Sequence, residues 1–333
     1  MIVWTESAQR GSAVITQRYG SGSSPSWYST GGRNDGPCFA PSSAQVTPRY
    51  PVPSGSLFLA GARLCNGIVN TVFCPTYNNA PQVGLYGDGG TLSIRRGGLY
   101  GTTLATAVNA YDLNVRYISF KCLIDPAVGY TRVYIDGVLV AALSLDDIDT
   151  QPATGGLWNG FEIGGSGTYP KMCDLLVADG TDPSGAGHDL HEIWMDARVD
   201  YLPSNGNGYS SQLVGQDGNS VDNYLQVDET SPDDDTTYVQ SANPAIDGYT
   251  KAACPVAGAT ILGAAVYARG RKTDAGVAVA RVGLRSGSTN LMSDAQALPV
   301  NYADVYAHVG HDPADGAFTR SGFDGMQVVV EKA

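Results

Sequence analysis

The 333-residue chain carries 42 glycines and 18 prolines, about 18% of its residues, and only 16% charged residues, against roughly 12% and ~25% in average usage. Its net charge is −12, with 19 tyrosines and acid that is almost all aspartate; clusters of basic residues that would neutralise phosphates are absent, which argues against a nucleic-acid partner. No run approaches the ~20 apolar residues of a membrane span. Met1 to Gly11 has neither the basic region nor the apolar stretch of a signal peptide, so no membrane partner and synthesis in the cytosol are expected.

Aspartate suits turns, where its short side chain bonds to nearby backbone, whereas glutamate suits helices. With so much glycine and tyrosine, the composition predicts many short strands and a chain long enough for two domains. The first thirty-five or so residues are punctuated by Tyr19-Gly-Ser-Gly-Ser-Ser-Pro25 and Gly31-Gly-Arg-Asn-Asp-Gly36, which read as loops between short strands. Leu57 to Leu64 reads as a buried strand. Val83–Tyr86 and Thr91–Ile94 flank Gly87-Asp-Gly-Gly90 and predict a hairpin.

The clearest segment is Arg116 to Leu143. Ile118, Phe120, Cys122 and Ile124 alternate with Tyr117, Ser119 and Lys121, the period of a half-buried strand. Val133 and Ile135 alternate likewise, and Asp136-Gly137 separates them from the apolar run Val138 to Leu143. Asp-Gly between apolar runs is the signal of a type I′ turn, so three antiparallel strands are expected. Phe161–Ile163 and Cys173–Ala178 predict two more, with a turn at Asp179-Gly180. His191 to Val199 is compatible with helix or strand. Pro203 and the run Ser204 to Ser211 read as a linker. Beyond it, Tyr224–Val227 is a short element, and strands are expected at Ile261–Tyr267, Val277–Leu284, Asp304–Val309 and Met326–Val330.

Chemical constellations are sparse. There is no G-x-S-x-G elbow, and Glu162 has no acidic neighbour at alternate positions for a carboxylate pair. The four histidines fall as His188/His191 and His308/His311, a spacing that puts two side chains on opposite faces of a strand. Asp146, Asp147, Asp149 and Asp233 to Asp235 are oxygen-rich turns without the EF-hand pattern. The six cysteines (Cys38, Cys65, Cys74, Cys122, Cys173, Cys254) form no C-x-x-C. They fit buried thiols, a Cys65–Cys74 disulfide or bonds between chains. The tyrosines are scattered and define no platform. No catalytic, cofactor-binding or metal-ligating residue is therefore assigned, and no cofactor is expected.

The meander with Tyr134-Ile-Asp-Gly137 at its tip resembles laminin-G and concanavalin A-like jelly rolls. The motifs that follow it are Phe161-Glu-Ile-Gly-Gly165, Asp174-Leu-Leu-Val-Ala-Asp-Gly180 and Arg198-Val-Asp-Tyr-Leu-Pro203. Next come Asn223-Tyr-Leu-Gln-Val-Asp-Glu229, Asp234-Asp-Thr-Thr-Tyr-Val239, Phe318-Thr and Val328-Val-Val330. In this order they resemble tailed-phage virion proteins, in which a lectin-like jelly roll precedes a second β domain. Cys173 stands where an acidic residue is common, and Phe318 where tryptophan is. The resemblance implies an all-β chain, with a concanavalin A-like jelly-roll sandwich over residues 1–203 and a smaller β-sandwich over 204–333. It implies a non-enzymatic virion structural protein (head decoration, neck or tail appendage) that binds other virion proteins as a homo-oligomer, trimeric or higher. The alternatives are a carbohydrate-binding module that attaches to a host surface glycan and, third, a glycan-depolymerising enzyme.

Overall fold

The computed structural model describes residues 2–6, 26–28, 38–40, 55–64, 68–112, 114–152, 157–164, 171–180, 197–230, 232–314 and 316–333. Among these the chain is all-β, built of antiparallel strands. Contacts group it into two compact units, one within Val3–Thr181 together with the stretch ending at Val199, the other Asp200–Ala333.

In the first unit the strands are β1 Ile2–Glu6, β2 Ser26–Tyr28, β3 Cys38–Ala40, β4 Leu57–Leu64, β5 Ile68–Tyr77, β6 Ala80–Pro81, β7 Val83–Gly89 and β8 Thr91–Arg96. They continue as β9 Thr102–Ala107, β10 Arg116–Leu123, β11 Gly129–Ile135, β12 Val138–Leu139, β13 Leu145–Ile148, β14 Gly160–Glu162 and β15 Met172–Ala178. One nine-stranded sheet runs β12-β11-β10-β4-β15-β3-β2, with β1 on β15 and β13 on β11; a six-stranded sheet runs β14-β5-β7-β8-β9, with β6 on β5.

The expected hairpin of β7 and β8 is present, with Val83 opposite Arg96 and Asp88 opposite Thr91. The meander is present with one change. β10 and β11 pair from Ile118–Ile135 to Leu123–Tyr130, and Asp136 and Gly137 have φ of 48° and 78°, the positive pair that a type I′ turn needs. Asp136 also accepts from the Tyr117 amide at 2.8 Å and pairs with Arg116 at 3.1 Å, so this aspartate makes and braces the turn. The third strand, expected to reach Leu143, stops at Leu139. Val138 and Leu139 are exposed, and Ala141–Leu143 turns into a 3-10 helix that buries Leu143. Burying one leucine by a tight turn satisfies this run better than extending an apolar strand into solvent.

Strand β10 was expected to be half-buried, yet Tyr117 and Ser119 are buried as well as Ile118 and Phe120; it lies inside the sheet between β11 and β4. Trp158 is wholly buried, its Nε1 donating to the Leu57 carbonyl at 2.8 Å and its ring edge-on to Phe58 at 5.0 Å. Four cysteines of this unit, Cys38, Cys74, Cys122 and Cys173, are buried thiols. They pack as small apolar residues. Cys65, His188 and His191 lie outside the described residues, as do most of the His191–Val199 stretch and the two early glycine-rich runs.

In the second unit the strands are β16 Ser204–Ser211, β17 Val214–Gly215, β18 Val239–Gln240, β19 Ala245–Lys251 and β20 Ala264–Gly270. They continue as β21 Val279–Ser286, β22 Thr289–Met292, β23 Gln296–Ala297, β24 Ala303–Val309 and β25 Gln327–Lys332, with a short helix α1 at Arg320–Gly325. A six-stranded sheet runs β16-β19-β25-β21-β22 with β23 on β21, and β20 and β24 form a two-stranded ribbon. Val266, Val305, Ala307 and Val309 of the ribbon share one core with Val282 and Leu284 of the sheet and with Phe323 and Met326. Each buried valine, leucine, phenylalanine or methionine of this core contributes about 1.5–3 kcal/mol.

Two sequence expectations change here. The stretch 204–211, read as a linker, is an edge strand paired to β19 from Ser204–Lys251 to Ser211–Asp247. Its glycines serve packing: a Cβ at Gly208 would meet Gln327 Oε1 and the Gly248 backbone, and Tyr209 in turn lies over Gly248 of β19, where an added Cβ would meet the ring at 2.6 Å. Tyr224–Val227 falls largely within a 3-10 turn, Asn223–Gln226, that buries Asn223. A buried carboxylate holds this corner together. Asp247 accepts from the amides of Gln212 (2.5 Å) and Leu213 (2.8 Å), from Asn223 Nδ2 (2.7 Å) and from the Tyr249 hydroxyl (2.8 Å). Burial first, then the charge of Asp247, pushes the Tyr249 phenol up.

Candidate functional site

The ribbon β20/β24 is in register along its whole length, with Ala265 opposite His308, Tyr267 opposite Tyr306 and Arg269 opposite Asp304. Because side chains alternate along a strand, Val266, Val305, Ala307 and Val309 turn into the core, and the residues between them turn outward. The outward face therefore carries Tyr267, Arg269, Asp304, Tyr306 and His308 side by side. Tyr267 and Tyr306 stack with centroids 6.5 Å apart and planes 28° apart. His308 stands edge-on to Tyr267 at 6.0 Å and is tilted to Tyr306 at 5.6 Å. The Tyr267 hydroxyl and His308 Nε2 share a hydrogen bond of 3.1 Å.

The ribbon's outer edge at Tyr306 is closed by a side chain. Gln296 on β23 donates from Nε2 to the Tyr306 carbonyl at 2.8 Å, and its Oε1 accepts from the Tyr306 amide at 3.2 Å. One amide side chain thus takes the place of a neighbouring strand.

Beside the rings lies an ion-paired cluster. Arg269 grips Asp234 through Nε (2.6 Å) and Nη2 (3.2 Å), the two-pronged geometry that a guanidinium offers a carboxylate. Arg271 donates to Asp235 at 2.7 Å, and the Tyr302 hydroxyl donates to the same oxygen at 2.7 Å. Both guanidiniums stand over the Tyr302 ring, at 5.1 and 5.0 Å. The Tyr302 hydroxyl and then Arg271 hold the Asp235 carboxyl below the usual carboxylate range. Burial and the Asp235 charge push the Tyr302 phenol up. Asp304 lies at the end of this face, its Oδ2 buried and without a hydrogen-bond partner among the described residues.

Five of the six aspartates singled out as oxygen-rich turns are thus engaged by side chains. Asp233 accepts from the Thr237 hydroxyl at 2.9 Å, Asp234 and Asp235 hold arginines, Asp146 pairs with Arg132 and Asp149 with Arg96. Among the described residues no group of three or more His, Cys, Asp or Glu is arranged to hold a metal. His308 belongs to the ring cluster, whereas His311 lies beyond the end of its strand. Glu162 is buried opposite Cys74. Burial, and then the Glu162 charge, push the Cys74 thiol up to about 12.

The ring cluster escaped the sequence reading. Tyr302, Asp304, Tyr306 and His308 occupy alternate positions, as do Tyr267, Arg269 and Arg271, and that alternation was the available signal. What the sequence did not contain was the register that sets one row against the other.

No family model matches the chain, and no curated protein sequence matches it. Solved structures resemble it distantly. One is domain 4 of AbnA, an extracellular arabinanase from Geobacillus stearothermophilus in complex with arabinotriose. It is 14% identical over 54% of this chain and 92% of that one, with a TM-score of 0.31. Another is a botulinum neurotoxin type C structure described by its interaction with two ganglioside molecules, 9% identical over 94% and 89%, with a TM-score of 0.26. A third is the Trypanosoma rangeli sialidase with the inhibitor DANA, 12% identical over 49% and 30%, with a TM-score of 0.30.

Proposed function

We propose that the chain is a non-enzymatic saccharide-binding protein, and that the outward face of the β20/β24 ribbon is where it binds. The observation that carries this reading is the grouping of Tyr267, Tyr306 and His308 on one rigid ribbon, flanked by charged groups held at fixed positions. Sugar rings present apolar C–H faces ringed by hydroxyls. Aromatic side chains offer a flat partner for the first, and anchored polar groups orient the second. In the setting implied by the sequence resemblance, this binding would attach a phage particle to a glycan on its host.

The test is a glycan array on the full chain, followed by calorimetry with Tyr306→Ala. Removing one stacking ring should cost about 2 kcal/mol, roughly thirtyfold in Kd, with little change in melting temperature because the ring faces away from the core. An array without hits, or a Tyr306→Ala variant that binds as well as the parent, would overturn the reading.

A second reading is assembly with other virion proteins or with further copies of this chain. It is favoured by the exposed apolar pair Val138 and Leu139 on β12, at the end of the nine-stranded sheet, since unprotected apolar edges invite pairing. Sedimentation that finds a monomer at all concentrations would count against self-assembly.

A further inference from the structure

We infer that the ribbon face takes an oligosaccharide and not a single sugar: one ring stacks on Tyr306, and a pair of adjacent hydroxyls further along the glycan is held between Asp235 and Arg271. This inference rests on the saccharide reading and sharpens it to a ligand length and a second point of contact.

Strand register fixes where the two points lie. Tyr267 stands opposite Tyr306, Arg269 opposite Asp304 and Gly270 opposite Ala303, where the ribbon ends. Arg271 follows the last of these on one strand and Tyr302 precedes it on the other. The guanidiniums of Arg269 and Arg271 stand over the Tyr302 ring at 5.1 and 5.0 Å, which sets Arg271 beside that ring. Tyr302 lies four positions before Tyr306, about 13 Å of extended chain. A single sugar ring does not cover that span, whereas a trisaccharide does.

The far point is open to solvent and equipped for hydroxyls. The side chains of Arg271 and Asp235 are 34% and 65% exposed. Their mutual bond uses Nη2 and Oδ1, and the Tyr302 hydroxyl donates to the same Oδ1. Asp235 Oδ2 and further N–H groups of Arg271 are left to meet a ligand. A carboxylate accepts only and a guanidinium donates only. Side by side they suit two neighbouring hydroxyls, one donating to Asp235 while the other accepts from Arg271. Because the ion pair and Tyr302 already hold both groups in place, little side-chain freedom remains to be lost on binding.

The test arrays linear gluco-, manno-, galacto- and arabino-oligosaccharides of one to four units, then titrates the best-bound series into the full chain and its variants. The parent should bind the trisaccharide at least about tenfold more tightly than the monosaccharide, the equivalent of one hydrogen bond to a charged group, with little gain from a fourth unit. Arg271→Ala should bring the trisaccharide-to-monosaccharide ratio toward one, whereas Tyr306→Ala should weaken every length alike. Asp235→Asn serves the same comparison if the alanine variant does not fold. A trisaccharide that binds no better than the monosaccharide, or a ratio unchanged in the variant, would refute the inference while leaving the saccharide reading intact. If no length binds, the saccharide reading falls and this inference falls with it.

Discussion

Replacing Asp247 by alanine is the sharpest test of how the second unit is held together. The carboxylate is fully buried and accepts four hydrogen bonds. Asn223 would keep its bond to the Leu213 carbonyl at 2.8 Å, and the Tyr249 hydroxyl can rotate. The amide of buried Leu213 would be left without an acceptor, whereas that of the exposed Gln212 can turn to water. One unsatisfied buried donor at about 1–3 kcal/mol, with a lost hydrogen bond to a charged group at about 1.5–3 kcal/mol, gives a loss of about 4 kcal/mol, a large part of the ~5–15 kcal/mol that stabilises a domain. For a unit of this size the melting temperature should fall by about 15 °C. Calorimetry of the parent and variant measures this directly, with Asp274→Ala as the control. Asp274 is exposed, and its Oδ1 accepts from the Gly276 amide at 3.0 Å; its removal should stay within about 0.5 kcal/mol. If Asp247→Ala melts within about 4 °C of the parent, the corner is not held by this carboxylate and the reasoning is wrong.

Two further outcomes follow from the titrating groups. Burial keeps Cys74 a thiol, with its titration pushed up to about 12, and Cys38, Cys122 and Cys173 are buried too. At pH 8 iodoacetamide should modify the partly exposed Cys254 and spare these four in the folded protein; peptide mapping that finds them labelled at the rate of Cys254 would contradict the buried-thiol assignment. Arg116 first, then Asn114, hold the Asp112 carboxyl low, and backbone amides do the same for Asp125 and Asp324. A carboxyl depressed in the folded state contributes stability above its unfolded value of ~3.9 and loses it as the pH falls through that value toward the folded one. The melting temperature should hold level from pH 8 to about pH 5 and drop below about pH 4, and a level profile to pH 3 would show these bonds to be inconsequential.

Much of the fold could be read from the chain where local rules and tertiary packing agree. Leu57–Leu64 is apolar and buried, and Asp136-Gly137 needs a backbone conformation that few other pairs adopt. The reading failed where tertiary contacts set the meaning of a residue. Glycines in Ser204–Ser211 suggest a linker by their entropy, yet those on paired strands make room for Tyr209 and Gln327. Val138 to Leu143 looks like a strand by its apolar content, yet one leucine is buried by a turn. The ribbon face was the least legible part. Asp234, Arg269 and Asp304 are each 35 residues from the next, and only strand register and the fold of the intervening loops bring them together.

The glutamine that closes the ribbon edge bears on how such a face can change over generations. A full neighbouring strand would tie every outward residue of β24 to a second row of side chains, and each replacement would have to suit both. Gln296 fixes the edge through the backbone of Tyr306 alone. The inward valines answer to the core and are constrained by it, while the outward row answers mainly to whatever it meets. Side chains at 267, 306 and 308 can therefore be exchanged without refolding the unit, provided that position 296 keeps its amide.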